Sequence, residues 1–189
     1  GVFFMLSPRE EYQRWLDNVH DAEIYKELLS IQHNEEAITD RFYKFIDFGT
    51  AGLRGKMGAG TSYMNIYIIR RTTLAIAKYM LHQGMSKVAI AYDSRNNSRH
   101  FALEAAKIFA KSGITTYIYK EIMPTPALSY AVRHLRCDMG IMVTASHNPA
   151  IYNGYKVYGS DGCQVTSKAA NDIKTYVDSL GVTPSLNNL

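Results

Sequence analysis

Asp138-Met139-Gly140-Ile141-Met142-Val143-Thr144-Ala145-Ser146-His147-Asn148-Pro149 is the stretch on which the fold turns. A short apolar run bounded by turn residues has the length of a buried strand rather than of a helix. Here it passes without a spacer into small and polar residues, and Asn148-Pro149 imposes a turn. The reading is a strand, 138–143, that ends in a loop carrying an exposed hydroxyl at its tip.

Working outward, the same alternation repeats. Upstream, Thr125-Pro126 reads as an N-cap and first-position pair opening a helix with Leu128, Val132 and Leu135 on one face. Before it, 114–119 is β-branched and aromatic, a strand pattern. Asn97 or Ser98 caps a helix with Phe101, Ala105, Ile108 and Phe109 on one side, stopped by Gly113. Lys87 to Tyr92 is a further buried strand, Thr72 to His82 a helix ending at Gly84, and Met64 to Ile69 a strand. Downstream, Gly154 to Tyr158 is a strand, and Thr166 caps a helix with Ala169, Ile173, Tyr176, Val177 and Leu180 that ends at Gly181. A β-α-β-α-β-α-β order predicts an α/β fold: a three-layer α/β/α sandwich with a mixed, mostly parallel sheet.

The first forty-odd residues differ. Ser7-Pro8-Arg9-Glu10 is a capping box with proline at the first helical position. Tyr12, Trp15, Leu16 and Val19 follow at helical spacing. Asp21 and Asn34 can cap two more short helices. The expected organisation is a helical N-terminal extension over 1–45, the sandwich over 46–182, and a polar linker over 183–189 leading to further domains.

Bulk properties narrow the function classes. The 189 residues are 47% hydrophobic and 20% charged, enough to bury a core without disulfides or metal. Two cysteines, Cys137 and Cys163, are too few for a disulfide framework or a zinc site, and idle thiols fit a cytoplasmic protein. No apolar stretch is long enough to cross a bilayer, and Gly1 to Met5 is too short and uncharged for a signal peptide. A net charge of +4 fits an anionic small molecule better than nucleic acid, which calls for a denser basic stripe.

In open α/β sheets ligands sit where loops leave the carboxyl ends of strands. Besides the Ser146 loop, three segments stand out. Gly49 to Lys56, with Gly58 and Gly60 after it, combines glycines with the cations Arg54 and Lys56. It can bring backbone N–H groups and charge to an anion, or serve only as a flexible connection. It is no Walker A loop, since Thr50 and Met57 stand where glycine and Ser/Thr are needed. Asp93-Ser94-Arg95 follows a strand, and its arginine either holds phosphate or pairs with Asp93. Asn153-Gly154-Tyr155-Lys156 returns past the serine loop and brings a cation near Ser146, unless Lys156 is only a solvated edge lysine. A Ser-His-Asp hydrolase is disfavoured, because Ser146 and His147 are sequence neighbours and no Gly-x-Ser-x-Gly elbow is present.

Thr144 to Pro149, with Tyr152-Asn153-Gly154-Tyr155-Lys156, resembles the active-site serine signature of the α-D-phosphohexomutase family, which includes phosphoglucomutases and phosphomannomutases. Phe48 to Gly55 resembles that family's N-terminal arginine loop, and Asp93-Ser94-Arg95 its second strand-tip loop. The helical extension and Met57 to Tyr67 are most similar to the phosphoglucomutase/phosphopentomutase branch. The resemblance covers roughly Phe42 to Leu180.

The resemblance implies a phosphoserine at Ser146 that donates its phosphoryl group to a sugar monophosphate and takes another back from the bisphosphate. Hexose 1- and 6-phosphates, or pentose 1- and 5-phosphates, are thereby interconverted. Lys156 would stabilise charge and manage a proton, Arg54 would steady phosphoryl oxygens, and His147 would hydrogen-bond to substrate or phosphate. Thr144, Asn148, Arg95, Gly52 and Lys56 are expected to bind phosphate or substrate. A Mg²⁺ ion would touch a phosphate oxygen on Ser146, and a sugar 1,6-bisphosphate would act as activator. The family's Asp-x-Asp-x-Asp-Arg metal loop, sugar-recognition loop and C-terminal phosphate clamp are absent from the sequence. The expected partners are therefore the sugar phosphate and the remaining domains of the same polypeptide, with no nucleic acid and no membrane, and the chain alone is expected to be inactive. The competing reading is a non-catalytic module that binds sugar phosphate or nucleic acid.

Overall fold

The computed structural model describes residues 6–180. The Gly181 helix stop and the 183–189 linker lie outside the described residues. Three short helices come first: α1 (Pro8–Asn18), α2 (Ala22–Ser30) and α3 (Glu35–Phe42). Each begins where a side chain satisfies otherwise orphaned N–H groups. Ser7 accepts from the Glu10 amide while Glu10 answers with its carboxylate, completing the capping box. Asp21 and Asn34 accept from the Ile24 and Ala37 amides.

The sheet has five strands: β1 (Leu53–Lys56), β2 (Lys87–Tyr92), β3 (Thr115–Ile118), β4 (Met139–Val143) and β5 (Tyr152–Gly159). Their spatial order is β1-β5-β4-β2-β3. β2 pairs in parallel with β3 and β4, while β5 runs antiparallel to both β4 and β1. Four strands thus share one direction and β5 alone opposes them. The layers follow from the two-residue period of the strands. Val88, Ile90, Ile141, Val143, Tyr155 and Val157 face one side, where they join α4 (Ile66–His82), α5 (Ser98–Lys111), α7 (Ser167–Ser179) and the helical extension in the larger core. Ala89, Ala91, Met142 and Tyr158 face the other side, covered by Leu128, Ala131 and Val132 of α6 (Thr125–His134). The small alanines and Gly140 let α6 come close: a Cβ on Gly140 would lie 2.5 Å from a Val132 methyl.

Three expectations are corrected. The run from Met64 to Ile69 is not a strand. Met64 makes only an isolated bridge to Met57, and Asn65 starts α4 by accepting from the Tyr67 and Ile68 amides. Ile66 to Ile69 read as a strand because all four are buried, and a helix wedged between extension and sheet is apolar all round. Conversely, the glycine-rich segment hides β1, four residues long, whose partner is distant in sequence. Finally, Thr125 is not the cap of α6. Pro124 holds that place, and no side chain caps the helix.

The extension shares the core of the sandwich. Trp15 is fully buried and meets Phe42 and Tyr67 edge-on, with both ring centroids 5.6 Å away. The Tyr67 hydroxyl accepts from the His20 and Asp21 amides at 3.1 Å.

Candidate functional site

Ser146 stands at the tip of the loop that leaves β4, solvent-exposed, while Thr144 and Ala145 behind it are buried. Its backbone is left-handed, with φ 57°, a region that side-chain-bearing residues seldom adopt. The turn rests on a few contacts. The Ser146 amide donates to Thr144 Oγ1 at 2.9 Å, the Asn148 amide to the Ala145 carbonyl at 3.1 Å, and the Thr144 amide to the Gly154 carbonyl at 3.0 Å. His147 Nδ1 lies 3.4 Å from Ser146 Oγ, which ties the two side chains loosely.

Arg54 and Lys156 belong to one face of the sheet. Arg54 sits opposite Gly154 in the β1–β5 register, and Lys156 lies two residues along the same strand, so period-two alternation turns both to one side. This is the α6 side, but α6 packs on β2 and β4 and leaves the β1–β5 margin open. Arg54 is exposed and donates to Asn148 Oδ1 at 3.0 Å, which joins the first cationic strand to the serine loop. Lys156 is half-buried and forms no ion pair among the described residues. Burial, and then the positive charge of Arg54, hold its ammonium below the usual lysine range.

Gly52 enforces this approach. Thr50 and Ala51 form the tip of a tight turn in which Gly49 and Gly52 exchange backbone hydrogen bonds. Gly52 has φ +75°, and a Cβ there would lie 2.0 Å from the Tyr155 carbonyl and 3.0 Å from Lys156 Cα. Only glycine brings the arginine strand against the lysine strand. Gly154 is similarly enclosed, between the Thr144 and Leu53 carbonyls.

Three expected binding residues sit elsewhere than foreseen. Lys56 is directed over the ring of Tyr63, with its ammonium 5.9 Å from the centroid. Thr144 is buried, and its hydroxyl donates to Asp93 Oδ2 at 2.6 Å. Arg95 lies beneath the loop. One terminal nitrogen donates to the carbonyls of Pro149 and Tyr152, at 3.1 and 3.3 Å. The other donates to those of Asn148, at 2.7 Å, and Ser146. Its Nε faces Asp93 Oδ2 at 3.3 Å. Both terminal nitrogens of Arg95 are thus bonded to loop carbonyls, and Nε stands in the ion pair with Asp93.

Sequence reasoning missed Asn153. It is fully buried and donates to the Asn96 carbonyl and to Ser98 Oγ, both at 3.0 Å, binding β5 to the loop after β2. Its place in an Asn-Gly pair made it look like an exposed turn residue. A groove of about 610 Å³ lies between α2 and the start of α5 and includes Ile24, Met57, Asn65 and Phe101; none of the expected site residues lines it.

Metal fits this chain poorly. Among the described residues no three His, Cys, Asp or Glu side chains converge on one point. Asp93, the carboxylate nearest the serine loop, already receives Thr144, Ser98 and Arg95. No helix among the described residues is long and apolar enough to cross a membrane.

Residues 46–181 match the model of "Phosphoglucomutase/phosphomannomutase, alpha/beta/alpha domain I". The chain belongs to the phosphoglucomutase/phosphomannomutase family. It is 40% identical over 168 residues to a phosphoglucomutase of Staphylococcus epidermidis, an alignment covering 88% of this chain and 30% of that protein. A phosphoglucomutase of Staphylococcus aureus is 39% identical over 171 residues, with the same shares. Among solved structures, a candidate phosphomannomutase of Thermus thermophilus superposes with a TM-score of 0.67 at 33% identity, over 71% of this chain and 30% of that one. The chain therefore spans about 30% of the length of these relatives, and what it matches is their domain I.

Proposed function

We propose that this chain is the phosphoserine-bearing part of a sugar-phosphate mutase of the phosphoglucomutase branch, with residues 1–45 as helical extension, 46–182 as the serine-loop domain and 183–189 as the link to the rest. The observation that carries the reading is the placing of Ser146: an exposed hydroxyl on a left-handed loop tip, with Arg54 tied to the same loop and Lys156 on the adjoining strand.

Phosphoryl transfer asks for an oxygen that can hold the group, cations around the spreading charge, and a route for one proton. In the forward step a sugar hydroxyl attacks phosphorus. The new sugar O–P bond forms as the Ser146 Oγ–P bond breaks, and the hydroxyl proton ends on the Ser146 oxygen. Lys156, its basicity already reduced, is the group to relay that proton, and Arg54 steadies the phosphoryl oxygens. His147 hydrogen-bonds to the group in transit, and Asn148 orients Arg54. The reverse step, from the other end of a hexose 1,6- or pentose 1,5-bisphosphate, restores phospho-Ser146. Gly52 acts through geometry, by closing β1 on β5. Magnesium carboxylates and sugar selection are assigned to the remaining domains of the polypeptide, so this chain alone is inactive. The two free thiols agree with a cytoplasmic setting.

The test is intact-protein mass spectrometry joined to a turnover assay on the longest polypeptide that carries this sequence, given Mg²⁺, glucose 1-phosphate and a glucose 1,6-bisphosphate primer. One phosphate that disappears in Ser146→Ala, with loss of turnover, is expected. Full turnover by Ser146→Ala refutes the assignment. A non-catalytic nucleic-acid module would instead bind generic RNA with steep salt dependence and carry no phosphate on Ser146.

A further inference from the structure

We infer that the backbone of Ser146 is held by a closed circuit of hydrogen bonds and one ion pair through Thr144, Asp93 and Arg95, which makes these three the positioning residues of the phosphoryl carrier; the inference rests on the reading of Ser146 given above.

The circuit leaves Ser146 at its amide and returns to it at its carbonyl. The Ser146 N–H donates to Thr144 Oγ1 at 2.9 Å. That hydroxyl has a single proton, and it is committed to Asp93 Oδ2 at 2.6 Å, so its lone pair is turned to the Ser146 amide. The same carboxylate oxygen faces Arg95 Nε at 3.3 Å. Arg95 then donates back to the Ser146 carbonyl, and to those of Asn148, Pro149 and Tyr152 on either side of the turn. The carboxylate is itself fixed: its other oxygen accepts from Ser98 Oγ at 2.7 Å and from the Arg95 amide at 3.1 Å.

A side chain in the left-handed region persists only where its surroundings over-determine it. Glycine would relieve that strain, but glycine has no hydroxyl to carry phosphate. The circuit resolves the conflict, because it grips both peptide groups of Ser146 and never uses Oγ. The reacting oxygen stays exposed, touched only by the loose His147 contact, while the atoms behind it are fixed, as positioning for transfer requires.

Amide hydrogen exchange resolved to Ser146 and steady-state turnover, both on the longest polypeptide carrying this sequence, test the circuit. In Thr144→Val the shape is kept and the hydroxyl lost. Exchange at the Ser146 amide should speed up at least about tenfold. The kcat should fall about a hundredfold, with KM within about threefold. Thr144→Ser should recover most of both, which a role for the methyl group alone would not give. Arg95→Lys keeps the charge but not the four carbonyl contacts, and should act like Thr144→Val. Ser146→Ala should keep wild-type exchange at its own amide, since its side chain is outside the circuit. Unchanged exchange and kcat in both Thr144→Val and Arg95→Lys overturn the proposal, as does Thr144→Ser as impaired as Thr144→Val. Turnover retained in Ser146→Ala would sink the functional reading instead, while the exchange data would still decide the circuit.

Discussion

At the scale of single residues, Lys156 and Gly52 have consequences that can be measured. Burial first, and the neighbouring Arg54 charge second, depress the Lys156 ammonium. Competitive amine labelling over about pH 7 to 11 should give Lys156 a midpoint below the ordinary 10.5. Arg54→Met should move that midpoint up but not fully back, because burial is the larger cause. The linkage has a definite sign. Across the window between the depressed value and 10.5 the unfolded chain binds more protons than the folded one, so this group's contribution makes stability rise with pH there. A midpoint at or above 10.5 would remove Lys156 as a proton relay. Gly52 admits no Cβ, and Gly52→Ala should cost at least about 2 kcal/mol in urea unfolding through strain and clash. A neutral Gly52→Ala would show that β1 can retreat from β5 without harm.

At the scale of elements, the start of α4 concentrates many bonds in one buried side chain. Asn65 Oδ1 accepts from two amides, and its Nδ2 donates to the carbonyls of Gly58, Gly60 and Tyr63. Asn65→Ala removes the cap and strands buried polar groups, and should cost about 3 kcal/mol in denaturant unfolding; a loss under about 1 kcal/mol would mean that solvent replaces the cap. Asn65→Asp keeps the two accepted bonds but loses the three donated ones, and should fall between. The joint between α3 and the segment after β1 has its own titration. Burial, reinforced by the hydrogen bond to Asp40, pushes the Tyr63 hydroxyl up to about 12. Because the folded value is raised above 10.0, this contribution to stability is whole below pH 10 and is lost as pH rises through about 12. An ultraviolet titration in which a late tyrosine step near pH 12 vanishes in Tyr63→Phe is the expected result. These elements also show where legibility stopped. Capped helices were plain in the sequence, because Ser7, Asp21, Asn34 and Thr166 act within three residues of themselves. The β1 strand was not, because its pairing partners lie about a hundred residues downstream.

At the scale of the molecule, the helical extension and the sandwich share one hydrophobic core. Trp15 is the single tryptophan of the sequence, and it reports on the seam between them from the buried contact with Phe42 and Tyr67. Urea unfolding followed by Trp15 fluorescence and by far-ultraviolet circular dichroism should give coincident transitions. Two separate transitions would show that the extension folds apart from the sheet. Truncating the ring, Trp15→Ala, should cost about 3–5 kcal/mol. On the opposite side, α6 leaves the β1–β5 margin uncovered, and Arg54 and Lys156 lie there.

The sequence by itself determined most of the alternation of strands and helices, the caps of α1, α2, α3 and α7, and the loop that follows β4, since each depends on periodicity or on contacts between near neighbours. It also carried the family membership, through the motif around Ser146. Only the tertiary structure decided what the site's side chains face. Arg54 reaches the serine loop, and Lys156 shares its face of the sheet, because β1 and β5 pair antiparallel, whereas Lys56 turns to Tyr63, and Arg95 and Thr144 point into the fold. The physical reason is that a residue's type states which hydrogen bonds it can make, and only the placing of distant strands determines which partners come within reach to make them.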